Sequence, residues 1–452
     1  MRRVGVHGAG FTPITQMAPC PAGAVAAGGA VSYLLRATFD ADDVGYANGQ
    51  VLNTEPEMGA NFAGQLTVAE LVGTIGIVSD KCAFTSAGGW TNQGFYSQGI
   101  ARAFGYGLLF ELADTVAGQH MVMGLSDAGA VNYPPSNGYI IRRMNTNVCL
   151  VTLDVGGAEI LSHSVFTWAN ATTYLFAMIL GGYDVNGMPW RTGEATAGYL
   201  YGVAIYVQGG AWGGDWHLLW RLRSLNTATM YAMLSNWSCT GTTDDVRVPD
   251  LDLSGAYVIN SYSTFDAANG TSLDAITPEI GGAWTEDDGT WDIQGNEANI
   301  SVAAGAAWFE GASVETNISD GLIEGTVTKP AAGLYVGLRF RYDAAAPTMW
   351  LAHIQPSSNN LWLWEYNAGW TARGGLSYAI GTGTPYHLMV SMDGQRIEVC
   401  IEDDAAFTYL AAALNETKTL HGIGGNVVDC RIDNFVVYPK TNPAYDTALD
   451  GV

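Results

Sequence analysis

The chain is 452 residues long, with 48% hydrophobic residues, only 14% charged residues and a formal net charge of −24. That length allows two or three domains with a sizeable buried core, and the apolar content excludes general disorder. The excess of 43 acidic over 19 basic side chains argues against nucleic-acid backbones and anionic membranes as partners, because both demand clustered cations.

Residues 1–30 are rich in Gly, Ala and Pro and carry no usable periodicity. We expect an anchoring arm that lies on a neighbouring protein, since alone it buries too little to offset its ordering entropy. Arg2 and Arg3 open the segment in the manner of a signal peptide, but His7, Gly8, Gly10, Pro13, Pro19 and Pro21 break any continuous apolar region. Export by the general secretion route is therefore not expected. No apolar run reaches the roughly 18 residues of a membrane-spanning helix.

From about residue 31 the pattern is β. Val336, Leu338 and Phe340 alternate with Gly337, Arg339 and Arg341, a period-2 strand. Tyr386–Met392 runs into Asp393-Gly394 and then Arg396–Ile401; Asp-Gly between two alternating runs predicts a hairpin with positive φ at both turn positions. Only Thr67–Gly73 and Ala405–Leu414 are candidates for short helices. The cysteines at 20, 82, 149, 239, 400 and 430 form no C-x-x-C pair, which argues against a zinc ribbon. Reduced, buried thiols are expected, with a Cys400–Cys430 bridge left open.

Internal repetition organises the rest. Thr38-Phe39-Asp40-Ala41 recurs as Thr264-Phe265-Asp266-Ala267, and Glu55-Pro56-Glu57-Met58-Gly59 as Thr277-Pro278-Glu279-Ile280-Gly281. Gly73-Thr74-Ile75-Gly76-Ile77 recurs as Gly289-Thr290-Trp291-Asp292-Ile293, and Asp245-Val246-Arg247-Val248 matches Asp433-Asn434-Phe435-Val436. Preserved order across four blocks predicts two copies of one β-domain, at 31–249 and 257–440, joined by a linker at 250–256 and followed by a tail at 441–452.

The second copy, with Thr264–Thr271, Trp284, Gly289–Asn296 and the closing Arg431–Tyr438, resembles the concanavalin A-like lectin/glucanase (laminin G-like) jelly roll, in the form common in structural proteins of tailed bacteriophages. The first copy shares the resemblance more weakly, since Ile75 stands where the second has Trp291. The resemblance implies an all-β fold of two tandem antiparallel β-sandwiches. It implies a non-enzymatic structural protein on a virion surface, assembled in the host cytoplasm as a head decoration, head fibre or tail-associated protein. Its arm would dock to capsid or tail proteins and its sandwiches would self-associate, with host-surface carbohydrate as a further partner. The main alternative is a carbohydrate-binding adhesin or module of a bacterium; a weaker one is a polysaccharide-degrading glycanase.

Relatives of this fold include retaining glycanases with a Glu-x-Asp-x-Glu strand motif. The nearest match is Glu398-Val399-Cys400-Ile401-Glu402, with Cys where the Asp should stand. The strand taken as its first-copy equivalent, His217–Arg223, has no carboxylate. We expect Glu398 on a solvated strand face and no catalytic residue. Sugar binding has better candidates. Trp362, Trp364 and Tyr366 alternate with Leu361, Leu363 and Glu365, and Trp370 follows a turn. If the aliphatic side faces the core, the aromatics line an open sheet face on which sugar rings stack; core or subunit interface is the competing reading. Trp212 and Trp216, in a Gly-flanked segment, are expected at a hairpin tip in contact with a glycan or another subunit. Some domains of the fold hold a structural Ca²⁺ beside the first strand. Carried over, its oxygen donors would be Asp40, Asp42, Asp43 and Asp245 in the first copy and Asp266, Asn269 and Asp433 in the second. Asp and Asn at turns also serve as backbone hydrogen-bond acceptors, and both readings stay open.

Overall fold

A computed structural model describes residues 33–37, 67–70, 75–78, 81–84, 90, 93–101, 106–114, 120–182, 201–222, 229–249, 253, 256, 258–303, 310–329, 335–355 and 357–450. The expected arm at 1–30 and Asp40, Asp42 and Asp43 lie outside these residues, as does most of the expected linker.

The fold is all-β, built as antiparallel sheets packed face to face. In the second half of the chain, one sheet runs in space Thr290–Ile293, Ala298–Val302, Arg431–Pro439, Gly321–Thr328, Pro385–Asp393, Arg396–Ile401, Ala405–Leu410, with Ser261–Ser263 also pairing to Arg431–Pro439. The other runs Trp284–Asp288, Glu310–Glu315, Leu420–Gly425, Val336–Asp343, Thr348–Gln355, Asn360–Asn367, Trp370–Ser377. Alternation builds the space between them. Ile323, Val327, Val336, Leu338, Phe340, Trp350, Leu361, Leu363, Val390, Ile423 and Val437 all point into one core. The first half repeats this arrangement place by place. One sheet runs from His217–Leu222 through Tyr201–Gly209 and Thr173–Gly182 to Ile75–Val78, and the other from Ala158–Thr167 through Val148–Val155 to Thr67–Glu70.

The two copies share a bulge in their closing strands. Asp244 pairs with Glu111 and Arg247 with Leu109, skipping two residues; Asp433 pairs with Thr326 and Val436 with Glu324 in the same way. The skipped Asp245 and Asn434 have φ of 50° and 52°, and each backbone N–H donates to the preceding aspartate at 2.7 Å. Asp433 therefore corresponds to Asp244. The sequence block that set it against Asp245 was one residue out, because it aligned like with like and could not see the bulge.

Two further expectations change. Thr67–Glu70 and Ala405–Leu410 are strands, not helices; their sheet neighbours override weak local propensity. The helix lies instead in the tail, Pro443–Leu449, where the Asn442 side chain accepts from the Ala444 N–H at 2.9 Å. The hairpin exists, but Asp393 is still paired with Arg396 and the turn is Gly394-Gln395, with positive φ at Gly394 (53°) and not at Gln395. No disulfide joins the described cysteines. Cys430 sits in the second core while Cys400 faces the first sandwich.

That facing is the main packing event between the halves. On the sheet carrying Gly321–Thr328, the side chains of Leu322, Met389, Cys400, Val436 and Tyr438 join the hydrophobic cluster of the first sandwich. The central strands Gly321–Thr328, Pro385–Asp393, Arg396–Ile401 and Arg431–Pro439 are thus buried on both faces. Polar side chains cross the seam in pairs: Arg221 with Glu324 at 2.7 Å, His163 with Glu398 at 3.1 Å and His217 with Asp393 at 3.4 Å. The Arg221 guanidinium also lies 4.2 Å from the Tyr438 ring. We call this sheet the inner sheet of the second sandwich and its partner the outer sheet.

Candidate functional site

The outer sheet turns one face away from the seam. On strand Asn360–Asn367, Leu361 and Leu363 are fully buried in the core, so the pleat sends Trp362, Trp364 and Tyr366 to the opposite face, each half-buried. Cross-strand partners complete the patch: Trp362 stands opposite His353 and Gly375, Trp364 opposite Leu351 and Ala372, Tyr366 opposite Met349 and Trp370. A Cβ at Gly375 would come within 2.5 Å of Trp362 Cε3, so glycine is what allows this indole to lie across the neighbouring strand. Tyr335 and Leu351 are buried beneath Trp364 and Trp370.

The rings touch edge to face or at a tilt. Tyr335 and Trp364 are 5.2 Å apart, Trp364 and Trp370 5.9 Å, Tyr366 and Trp370 4.9 Å. His353 is wholly buried against Tyr335 and Trp364, and burial pushes its pKa down to about 3, so the imidazole is a neutral wall. The Nε1 atoms of Trp362 and Trp364 are buried without a hydrogen-bond partner. Since each indole is half-buried and its one polar atom is covered, what the side chain offers outward is ring carbon. A polar border flanks the patch. Arg339, 2% exposed, is paired with Asp287 and lies 4.2 Å from the Tyr342 ring. Asp287 also accepts from the Ser313 hydroxyl at 2.7 Å.

The other expected site residues are placed differently. Trp216 is 2% exposed: its indole N–H donates to Asp450 at 2.8 Å and its backbone N–H to Asp446 at 2.9 Å. Trp212 packs edge-on against Phe166 at 4.8 Å and tilted on His217 at 5.4 Å. The loop is a hairpin tip, as expected, between the paired strands Tyr201–Gly209 and His217–Leu222, but it is clasped by the C-terminal helix of its own chain. Asp266 is exposed, Asn269 accepts from the Gly295 N–H at 2.8 Å, Asp245 is paired with Arg247 at 2.5 Å, and Asp433 accepts from Asn434. Among the described residues no three His, Cys, Asp or Glu side chains are grouped to hold a metal.

Glu398 is not on a solvated face. It is 3% exposed in the seam, beside His163 and with Arg396 at 2.5 Å. Glu402 accepts from the His387 N–H at a turn. By sheet order the first-half counterpart of the Glu398 strand is Tyr201–Gly209, not His217–Arg223, and it also lacks a carboxylate.

Sequence reading missed a second aromatic cluster, on the corresponding outer face of the first sandwich. There Tyr133 packs on Val122, Ile140 and Met233 and covers the sheet. Arg142 lies 5.0 Å from the Tyr133 ring and is paired with Glu159 at 2.9 Å, and Trp90 and Trp237 stand at the rim. Asp154, buried on that face, has its pKa raised to about 7 by burial. Only the second sandwich leaves its aromatic face uncapped by such a segment among the described residues. Arg339 and Asp287 were missed too, being 52 residues apart; the one signal was an arginine in an alternating strand.

The sequence matches no family model and no curated protein. Solved structures are similar over parts of the chain. A carbohydrate-binding module from Bacillus subtilis is 18% identical, covers 33% of this chain and 91% of its own, and scores a TM-score of 0.28. A Caenorhabditis elegans galectin is 11% identical over 28% of this chain and 89% of its own, with a TM-score of 0.24. A candidate glycosyl hydrolase from Parabacteroides distasonis is 11% identical over 35% of this chain and 88% of its own, with a TM-score of 0.26. At these scores the likenesses add nothing to the sheet order, which carries the fold by itself.

Proposed function

We propose that the protein is a non-catalytic glycan-binding protein whose site is the outer face of the second sandwich, centred on Trp364 and Trp370. One observation carries the reading: two half-buried indoles, Trp362 and Trp364, with their N–H groups covered and ring carbon as what they turn outward. Leaving a buried donor unpaired costs about 1–3 kcal/mol, and the apolar C–H face of a pyranose is a partner suited to the carbon so displayed. The burial of Glu398 in the seam speaks against a glycanase on that strand. A virion setting, with the arm at 1–30 as anchor and the sandwiches self-associating, is a separate proposal that rests on the sequence resemblance. Counting copies per purified particle by mass spectrometry tests it.

Screening the full chain against an array of immobilised glycans tests the binding reading. Wild-type protein is expected to mark a coherent set of glycans, and Trp364→Ala to lose them. If Trp364→Ala instead leaves the array unchanged but lowers the mass measured by light scattering, the face is a contact between subunits and the proposal fails.

A further inference from the structure

We infer that this face takes a single, flexible, neutral glycan chain from solution and not the flat surface of a crystalline polysaccharide or an anionic one; the inference rests on the glycan reading proposed above. The first argument is the inclination of the rings. Trp364 and Trp370 stand at 50° to each other, and Tyr366 and Trp370 at 49°. A crystalline surface offers its sugar rings in one plane, and aromatic rings can stack on it together only if they share that plane. Rings inclined by half a right angle satisfy different sugars only when those sugars are themselves turned relative to one another. A single chain rotating about its glycosidic bonds does that; a crystal face does not. Trp362, Trp364 and Tyr366 recur every second residue, about 7 Å apart along the strand, so the chain would run along Asn360–Asn367.

The second argument is charge. Carboxylate and sulfate groups are recognised by guanidinium or ammonium groups with donors to spare. On this face Arg339 is 2% exposed and paired with Asp287, out of a ligand's reach, and among the described residues the one exposed guanidinium nearby, Arg373 at the sheet edge, is already neutralised by Glu365 at 2.7 Å. The whole chain carries −24, which repels polyanions at low ionic strength.

The test uses the full chain in two formats. Native gels containing soluble polysaccharides read retardation by neutral β-glucan, galactomannan or dextran and by anionic alginate or heparin, at low and at physiological salt. Pull-down on microcrystalline cellulose and chitin powder reads depletion from solution. Retardation by at least one neutral polymer, insensitive to salt, lost in Trp364→Ala and in Trp370→Ala, with no depletion onto the powders, is the expected result. Depletion onto a powder that Trp364→Ala abolishes, or retardation by alginate or heparin that salt removes, would overturn the inference while leaving glycan binding intact. Neutral-polymer binding that survives both substitutions would overturn the assignment to this face. Failure to bind any polymer or powder would remove the glycan reading together with the inference.

Discussion

Trp364 is the residue on which the site turns, because it touches Tyr335, His353 and Trp370 at once. Truncating a central aromatic anchor in a binding surface costs about 2 kcal/mol or more, so Trp364→Ala is expected to weaken glycan binding at least tenfold in isothermal titration. Trp212→Ala, on the far side of the seam, should leave the isotherm unchanged. Gly375 gives a subtler check: Gly375→Val would push a side chain into Trp362 and displace the indole. It should lower affinity while the circular dichroism spectrum stays that of the wild type. Sequence alone exposed this row of aromatics, because period-2 alternation with Leu361 and Leu363 assigns faces without knowledge of neighbours. It placed Trp216 correctly in a hairpin tip but could not show what covers it, because the partners Asp446 and Asp450 lie 230 and 234 residues away.

At the scale of elements, the bulged closing strands and the seam govern stability against pH. Burial raises the pKa of Asp244 and Asp433, the equivalent bulge residues, and of Asp154, each to about 7. A folded-state pKa above the unfolded value gives stability that is present below about pH 4 and is lost as pH rises through about 7. The seam acts in the opposite direction. A hydrogen bond from His217 holds Asp393 down at about 2. Burial alone would raise Glu324 and Glu398, but Arg221 beside the first and His163 beside the second hold both below the ordinary value. Those groups contribute stability above their unfolded pKa that is lost as pH falls through the folded value. Buried His353 and His421, with pKa values lowered to about 3 and about 4, oppose the three aspartates between pH 4 and about 6.5, so melting temperature should fall steeply only below about pH 4. Asp154→Asn and Asp433→Asn should raise melting temperature relative to wild type above about pH 5 and leave the loss below pH 4 in place. An equal slope in wild type and both variants would contradict this account. The legible part of these elements was their existence and alternation. The one-residue register of the closing strand was not, since the bulge depends on Glu111, Leu109, Thr326 and Glu324 across the sheet.

For the whole molecule, the consequence is that two copies of one topology have been given different duties. The central strands of the inner sheet of the second sandwich are buried on both faces against the first, and Arg221–Glu324 is sealed in that contact with each side chain 3% exposed. Removing one partner strands the other charge, so Glu324→Gln should destabilise the chain by about 3–5 kcal/mol and split a single denaturant transition into two as the sandwiches uncouple. A single transition at unchanged midpoint would show that the seam contributes little. The first outer face is covered by Tyr133, while the second displays its rings. The all-β class was readable from period-2 alternation, and the repeat from the order of its matching blocks, of which Thr38–Ala41 and Glu55–Gly59 lie outside the described residues. Which copy kept an open face was not, because the cover over the first is an irregular segment with no periodic signal. The account stands or falls on that open face. Its most direct measurement is titration of wild type, Trp364→Ala and Trp212→Ala side by side with the strongest neutral glycan from the array. Wild type and Trp212→Ala are predicted to give the same saturable isotherm and Trp364→Ala none in the same range; equal binding by wild type and Trp364→Ala would contradict the account.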